Sequence, residues 1–173
     1  MSRLEVETIH LPSQQYYPQS VFPLVCSAQQ IGNQASIAEW IAEHRDRIED
    51  QLALTGAILF RGFGVTDDSD FDDFIRAFDW PNFTYAESLS NAVRRNRTEL
   101  VFTANEAPPH VSIFLHHEMA QTPVYPSKLL FFCQQAAEQG GATPICRSDI
   151  LLHKLREQLP EFVTDCENKG VRY

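Results

Sequence analysis

The hexapeptide Phe114-Leu115-His116-His117-Glu118-Met119 is the most informative stretch of this 173-residue chain. An apolar run of strand length leads into it, and side chains two residues apart in a strand point to the same face. His116 and Glu118 are therefore predicted to present an imidazole and a carboxylate side by side. Such a pair supplies two of the three ligands in the 2-His-1-carboxylate triad that binds non-haem Fe(II) with open coordination positions. His117 is expected to point to the opposite face and to be structural.

Composition and charge exclude several classes of protein. The content of 43% hydrophobic and 21% charged residues is typical of a globular protein, and the length suffices for a single domain over residues 1–173. A net charge of −9 argues against a nucleic-acid partner, because that affinity comes from clustered Lys and Arg. No apolar run reaches membrane-spanning length, and the N-terminus lacks a signal-peptide pattern. We therefore expect a cytoplasmic protein with no membrane partner.

The cysteines carry no recognisable metal or redox motif. They are widely spaced and form no C-x-x-C pair, so neither a zinc site nor a redox site is indicated. In a reducing compartment we expect all of them to be buried thiols. They are Cys26, Cys133, Cys146 and Cys166.

The first half of the chain predicts two helices around one strand. Residues 1–35 are rich in proline and are interpreted as an N-terminal arm with one short strand. A capping-box pattern at 36–39 predicts a helix beginning at Ser36. The apolar run 56–63 predicts a buried strand. Thr66-Asp67-Asp68 predicts the start of a second helix that Pro81 ends, with a core-facing stripe of Phe71, Phe74 and Phe78.

The second half predicts short strands followed by two helices. The loop 82–110, which includes His110, is the candidate for substrate selection. Strands are expected at 100–103, 111–115, 128–133 and 143–146. Ser148-Asp149 is predicted to cap a helix that carries Leu152, Leu155 and Leu159. Pro160 is predicted to open a further helical segment, which Gly170 closes.

Four strings in this order resemble one enzyme family. Residues 56–63, Gly-Ala-Ile-Leu-Phe-Arg-Gly-Phe, are similar to a strand found early in the TauD/TfdA-like dioxygenases, which include the clavaminate synthase-like group. Residues 115–118 resemble their metal-binding H-x-D/E element. Residues 125–144, ending in Gly-Gly-Ala-Thr-Pro, resemble the strand and turn that follow, and 170–173 resemble a later Gly-Val-Arg-Tyr strand. The resemblance covers about residues 54–173.

The resemblance implies a fold and a chemistry. It implies a mixed α+β fold with a double-stranded β-helix (jelly-roll) core and flanking helices, of which this chain holds a truncated, N-terminal part. It makes His116 and Glu118 ligands of Fe(II), and it makes Thr143 the hydroxyl that binds a carboxylate of the co-substrate 2-oxoglutarate. With O2, the implied reaction hydroxylates or desaturates a small amino-acid-like or sulfonate-type molecule. Glu118 argues against halogenation, since halogenases of the family carry a small residue there.

Two residues that the family requires find no match. A distal histidine and a following arginine belong to a later part of the fold. The only histidine after Glu118 is His153, which lies in a predicted helix and is rejected as a ligand. Arg172 lies on the predicted 170–173 strand and is rejected as the 2-oxoglutarate arginine. We therefore expect the 173 residues alone to be inactive, and a half-sheet with exposed edges to favour homo-oligomers.

Two other functions compete with the oxygenase hypothesis. A metal-dependent cupin would need an H-x-H pair with further ligands, which the sequence does not offer. A non-catalytic β-helix remnant that binds a partner would explain the missing histidine. Metal binding separates the three, because an oxygenase half should bind iron weakly through two ligands, a remnant should bind none and a cupin should bind tightly.

Overall fold

The computed structural model describes residues 3–83, 94–104, 106, 108 and 110–172. Two compact units form it. The first unit comprises residues 1–111 and 128–136, and the second comprises residues 112–127 and 137–173. The expectation of a single domain stays a prediction.

The first unit is built on a βαβ crossover. Strand β4 (Leu24–Ala28) leads into helix α1 (Gln34–Thr55), and β5 (Ile58–Arg61) returns parallel to β4. Strand β1 (Val6–Thr8) pairs antiparallel with the other edge of β4, which gives the order β1-β4-β5. A parallel pair needs a long connection, and α1 provides it.

The N-terminal arm is more regular than we expected. Besides β1 and β4 it contains the hairpin of β2 (Gln15–Tyr17) and β3 (Ser20–Phe22). The prediction of one short strand in residues 1–35 was therefore wrong. These strands are three to five residues long and carry no clear alternation of burial, and hydrophobic periodicity detects such strands poorly.

Helix α1 begins two residues before the predicted capping box. Asn33 is the N-cap, and its side-chain oxygen accepts from the backbone N–H of Ser36 at 2.9 Å. Asparagine is among the best N-cap residues, so the helix begins directly after Asn33 and not at Ser36. Gly56 ends the helix with a positive φ of 79°, a conformation that glycine adopts without steric cost.

Helix α2 (Asp68–Ala77) confirms the second predicted helix at its start. The Asp67 side chain caps it by accepting from the backbone N–H groups of Ser69 and Asp70, both at 2.9 Å. The helix ends at Ala77 rather than at Pro81. The phenylalanine stripe is buried as predicted. Two of its members, Phe74 and Phe78, belong to the hydrophobic core. The other core residues are Leu4, Ile37, Ile41, Ile48 and Phe63.

The second unit contains two helices and irregular chain. Helix α3 (Ser148–Gln158) and helix α4 (Pro160–Lys169) confirm the two predicted helices. Pro160 occupies the first turn of α4, and Gly170 follows its last residue. Arg156 of α3 donates to Glu167 of α4 at 2.8 Å.

The jelly-roll core is absent from the described residues. The segments 111–115, 128–133 and 143–146 were predicted as strands, and none of them pairs with another described strand; the same holds for the described residues of 170–173. At 100–103 only an isolated bridge joins Asn96 to Phe102. A strand exists only when its backbone groups pair with a neighbour, so an apolar run alone does not establish one. Of the loop at 82–110, residues 84–93, 105, 107 and 109 lie outside the described residues.

Three of the four cysteines differ from the expectation that all are buried. Cys26 is buried on β4, whereas Cys133 and Cys146 are exposed, and Cys166 is intermediate. The two exposed cysteines lie in segments that were predicted to be strands. Because those segments form no sheet in the described residues, their thiols are not covered. Among the described residues, no helix has both the length and the apolar character needed to cross a bilayer.

Candidate metal and 2-oxoglutarate site

The predicted ligand pair lies at the entrance to a tight turn of the second unit. The backbone N–H of Ala120 donates to the carbonyl of His117 at 3.2 Å. Met119, third in this turn, is buried and has a φ of +57°, which is the sign that a type II turn requires at that position. The N–H and hydroxyl of Thr122 donate to the Met119 carbonyl at 3.0 and 2.9 Å. The turn thereby fixes the backbone direction immediately after Glu118.

The structure brings His116 and Glu118 together. Nε2 of His116 lies 3.9 Å from Oε2 of Glu118. The His116 side chain is 59% exposed, whereas that of Glu118 is 15% exposed. An imidazole open to solvent beside a largely covered carboxylate leaves room for an ion to approach from the histidine side.

The second ring nitrogen of His116 determines its tautomer. Nδ1 lies 2.7 Å from the carbonyl oxygen of Phe114. A carbonyl only accepts, so Nδ1 must donate its hydrogen, and neutral His116 keeps a lone pair on Nε2. A hydrogen bond from the other ring nitrogen to a backbone carbonyl is the usual way that proteins orient a metal-binding histidine. The sequence carries no signal for this contact, because any residue can supply a carbonyl.

This donor set fits a divalent ion such as Fe(II). With metal–ligand bonds of about 2.1 Å, two ligands of one ion lie about 3 Å apart at a right angle and about 4.2 Å apart when opposite. The observed 3.9 Å falls between these limits. A shift of about 1 Å in either side chain would reach the right-angle arrangement that a facial triad needs. Within the described part of the chain, no group of three or more His, Cys, Asp or Glu side chains completes a metal site.

Thr143 lies in the same unit on an exposed segment that follows two glycines. Gly140 and Gly141 both adopt positive φ, 66° and 68°. A Cβ on Gly141 would lie 2.7 Å from the Cβ of Ala137, so this turn requires glycine at that position. The role of Thr143 in binding 2-oxoglutarate stays a prediction.

His117 makes a contact that the sequence did not indicate. Its Nε2 lies 2.6 Å from the hydroxyl oxygen of Ser148 at the start of α3. Ser148 was predicted to cap α3 together with Asp149, but the N-cap residue is Arg147, which makes no side-chain capping bond. The sequence pattern predicted that the Ser148 hydroxyl bonds to the backbone of α3, but it bonds to His117 instead.

Arg147 and Asp149 form a paired-charge contact beside this bond. Nε and Nη2 of Arg147 donate to the two carboxylate oxygens of Asp149 at 2.7 and 2.5 Å. The Arg147 side chain is only 11% exposed. Its hydrogen bonds lower the pKa of Asp149 to about 2, so the carboxylate is ionised at neutral pH.

The structure also describes His153, Arg172 and His110. His153 is on α3, as predicted, and its Nε2 lies 3.2 Å from Glu157 Oε1 one turn later. His110 lies in a turn and is exposed, and Arg172 is exposed beyond the end of α4.

The comparison with known proteins establishes the class. The family description that matches residues 20–170 is "Taurine catabolism dioxygenase TauD, TfdA family". The chain therefore belongs to the TauD/TfdA family of non-haem iron, 2-oxoglutarate-dependent oxygenases.

Two curated relatives are similar along most of the chain. A clavaminate synthase-like protein of Arabidopsis thaliana is 34% identical over 179 residues, which cover 100% of this chain and 54% of the relative. The dapdiamide synthesis protein DdaC of Enterobacter agglomerans is 34% identical over 160 residues, which cover 89% of this chain and 46% of the relative. The chain thus spans about half the length of the curated relatives it matches.

Proposed function

We propose that this chain is the N-terminal part of an Fe(II)- and 2-oxoglutarate-dependent oxygenase that hydroxylates or desaturates a small molecule. One observation carries the proposal: His116 directs a lone-pair nitrogen at a carboxylate two residues away. Its other nitrogen is bonded to the Phe114 carbonyl. Oriented in this way, the pair would hold the ion. Bound Fe(II) would supply the activation of O2, coupled to decarboxylation of 2-oxoglutarate to succinate.

The chain's own residues contribute position and charge. His116 would bind the ion through Nε2, because the Phe114 carbonyl accepts the hydrogen on Nδ1. Glu118 supplies one negative charge to a divalent cation, which leaves a net positive site for the anionic co-substrate. The Thr143 hydroxyl is proposed to donate to a carboxylate of 2-oxoglutarate, and the two glycines of the preceding turn have no side chains that would block this approach.

The proposed substrate is a small amino-acid-like or sulfonate-type molecule. The family description names taurine, an amino sulfonate. The name of the Enterobacter relative assigns that protein to the synthesis of dapdiamide. Taurine is a small polar molecule, which supports a substrate of this class. The acidic chain, with its net charge of −9, is consistent with a small-molecule substrate rather than a nucleic acid.

The remainder of the fold is part of the proposal. Apolar side chains of the unpaired segment in the second unit are exposed, among them Ile113, Phe114 and Leu115 at 52, 82 and 61%. An exposed apolar patch of this kind marks a surface that another chain segment or partner covers. We propose that the additional length seen in the relatives provides the covering strands, the distal histidine and the arginine.

Metal binding tests the ligand assignment. The full-length protein is titrated with Co(II) in place of Fe(II), without oxygen, and the visible absorption of the bound ion is recorded. We expect binding to wild-type protein, loss of binding in His116→Ala and Glu118→Ala, and unchanged binding in the control His153→Ala. Equal binding by His116→Ala and wild type would refute the assignment, and absence of binding by wild type would favour a non-catalytic remnant.

Co-substrate binding tests Thr143. The Co(II)-loaded protein is titrated with 2-oxoglutarate, and the change in Co(II) absorption gives the affinity. Thr143→Ala is expected to weaken 2-oxoglutarate binding about three- to tenfold, the value of one hydrogen bond. Thr164→Ala, an exposed threonine on α4, is the matched control. Succinate release with a panel of amino acids and sulfonates then identifies the substrate class.

A further inference from the structure

The His117–Ser148 hydrogen bond has no part in the proposed chemistry. It joins Nε2 of His117 to Oγ of Ser148 over 2.6 Å, across 31 positions of the sequence and within one unit. One end lies between the two proposed metal ligands. The other end lies at the first residue of α3.

Ser148 is not needed to start α3. A serine at the start of a helix usually caps it by accepting from a backbone N–H. Here the N-cap is Arg147, and no side-chain capping bond is present there. Asp149 provides an acidic group in the first turn, where it interacts favourably with the helix dipole. The Ser148 hydroxyl is bonded to His117, so removing it should leave the helix intact.

The bond also limits the position of Thr143. Thr143 and Ser148 are only five positions apart in the sequence, and a chain of five residues spans at most about 18 Å. Because Ser148 is hydrogen-bonded to His117, the distance from Thr143 and the glycine turn to His116 and Glu118 is limited. Without the bond, the two segments are joined in sequence only through residues 118–142.

From this geometry we infer that His117 and Ser148 are positioning residues for 2-oxoglutarate binding. Their hydrogen bond holds the segment that carries the metal ligands against the segment that carries Thr143. It therefore determines how well a metal-bound co-substrate meets the Thr143 hydroxyl. The inference rests on the proposed function, since it assumes that His116, Glu118 and Thr143 have the roles given above.

The inference predicts a separation of two affinities. Ser148→Ala should leave the Co(II) dissociation constant within about twofold of wild type, because the Phe114 carbonyl still orients His116. The same variant should weaken 2-oxoglutarate binding to the Co(II)-loaded protein by about three- to tenfold, the range for one lost hydrogen bond. Ser148→Thr, which keeps the hydroxyl, should restore the affinity. His117→Ala should weaken 2-oxoglutarate binding to the same degree as Ser148→Ala.

The experiment measures both affinities by Co(II) absorption in the full-length protein, with circular dichroism as a check on helix content. Ser127→Ala, an exposed serine of the same unit, is the control and should match wild type. If Ser148→Ala binds 2-oxoglutarate as tightly as wild type, the positioning role is refuted while the proposed function stands. If Ser148→Ala also loses Co(II), the bond is a general structural contact and the inference is again refuted. If wild type binds neither Co(II) nor 2-oxoglutarate, the proposed function fails and the inference fails with it.

Discussion

Asp72 on α2 accepts a hydrogen bond from the backbone N–H of Leu100, with 3.2 Å between Leu100 N and Asp72 Oδ2. The same carboxylate accepts from the hydroxyl of Thr98 and from the guanidinium of Arg76. Asp72 is buried, so these donors replace the water that a carboxylate would otherwise bind. A segment near residue 100 is thereby fastened to α2 by one acidic side chain.

Replacing Asp72 should therefore destabilise the first unit. In Asp72→Ala, the donors of Thr98 and Leu100 lose their acceptor, and we expect a loss of about 1 to 3 kcal/mol in the free energy of unfolding. The neighbouring Asp73 is exposed on the same helix, so Asp73→Ala is the matched control. Urea denaturation followed by circular dichroism measures both. Equal stability of the two variants would show that the hydrogen bonds contribute nothing.

The acid dependence of stability should carry the signature of Asp72. Burial raises the pKa of Asp72, but the hydrogen bonds from Thr98, Leu100 and Arg76, with the charge of Arg76, outweigh it and lower the pKa below its ordinary value. A carboxylate with a lowered folded-state pKa stabilises the fold above its unfolded-state pKa of about 3.9. That contribution is lost as the pH falls through the lower, folded-state pKa.

Asp72→Asn should therefore lose less stability than wild type as the pH falls below about 4. The measurement is the urea midpoint at several pH values between neutral and strongly acidic, for wild type, Asp72→Asn and the control Asp73→Asn. Parallel acid profiles for wild type and Asp72→Asn would mean that other carboxylates account for the decrease.

Helix α1 offers a direct test of the core. Ile41 is completely buried, whereas Leu54 on the same helix is 53% exposed. Ile41→Ala should cost about 2 to 5 kcal/mol, because it loses buried methyl groups and leaves a cavity. Leu54→Ala should stay within about 0.5 kcal/mol of wild type. A similar cost for both, measured by urea denaturation, would contradict this packing of α1.

The thiols should differ in reactivity. Cys26 is buried, and burial raises its pKa against the opposing charge of Arg47, so little thiolate forms. Cys133 and Cys146 are exposed. Under native conditions, iodoacetamide should modify the two exposed cysteines first and Cys26 only after unfolding. Mass spectrometry of digested protein gives the rate at each site, and a urea-denatured sample serves as the control. Fast native labelling of Cys26 would show that β4 is not buried.

The sequence predicted best where the determining contacts are local. Asp67 caps α2 through neighbours two and three residues away, and Pro160 and Gly170 mark the two ends of α4. The proximity of His116 and Glu118 also belongs here, because residues two apart remain close even though 111–115 pairs with no other strand of the described residues. Family membership was likewise readable, because it rests on the order of short strings.

Contacts between distant residues were decided only by the tertiary structure. Strand β4 lies between β1 and β5 in the sheet, an order that no local pattern specifies. The apolar run at 128–133 was predicted as a strand and is unpaired among the described residues, since a strand requires hydrogen bonds from a separate segment. The bond between His117 and Ser148 spans 31 positions. The sequence by itself thus determined the cap of α2, the helices and the proximity of His116 and Glu118, because their interactions lie within a few residues. The sheet order and the partners of His117 and Asp72 depend on which distant segments meet, and only folding decides that.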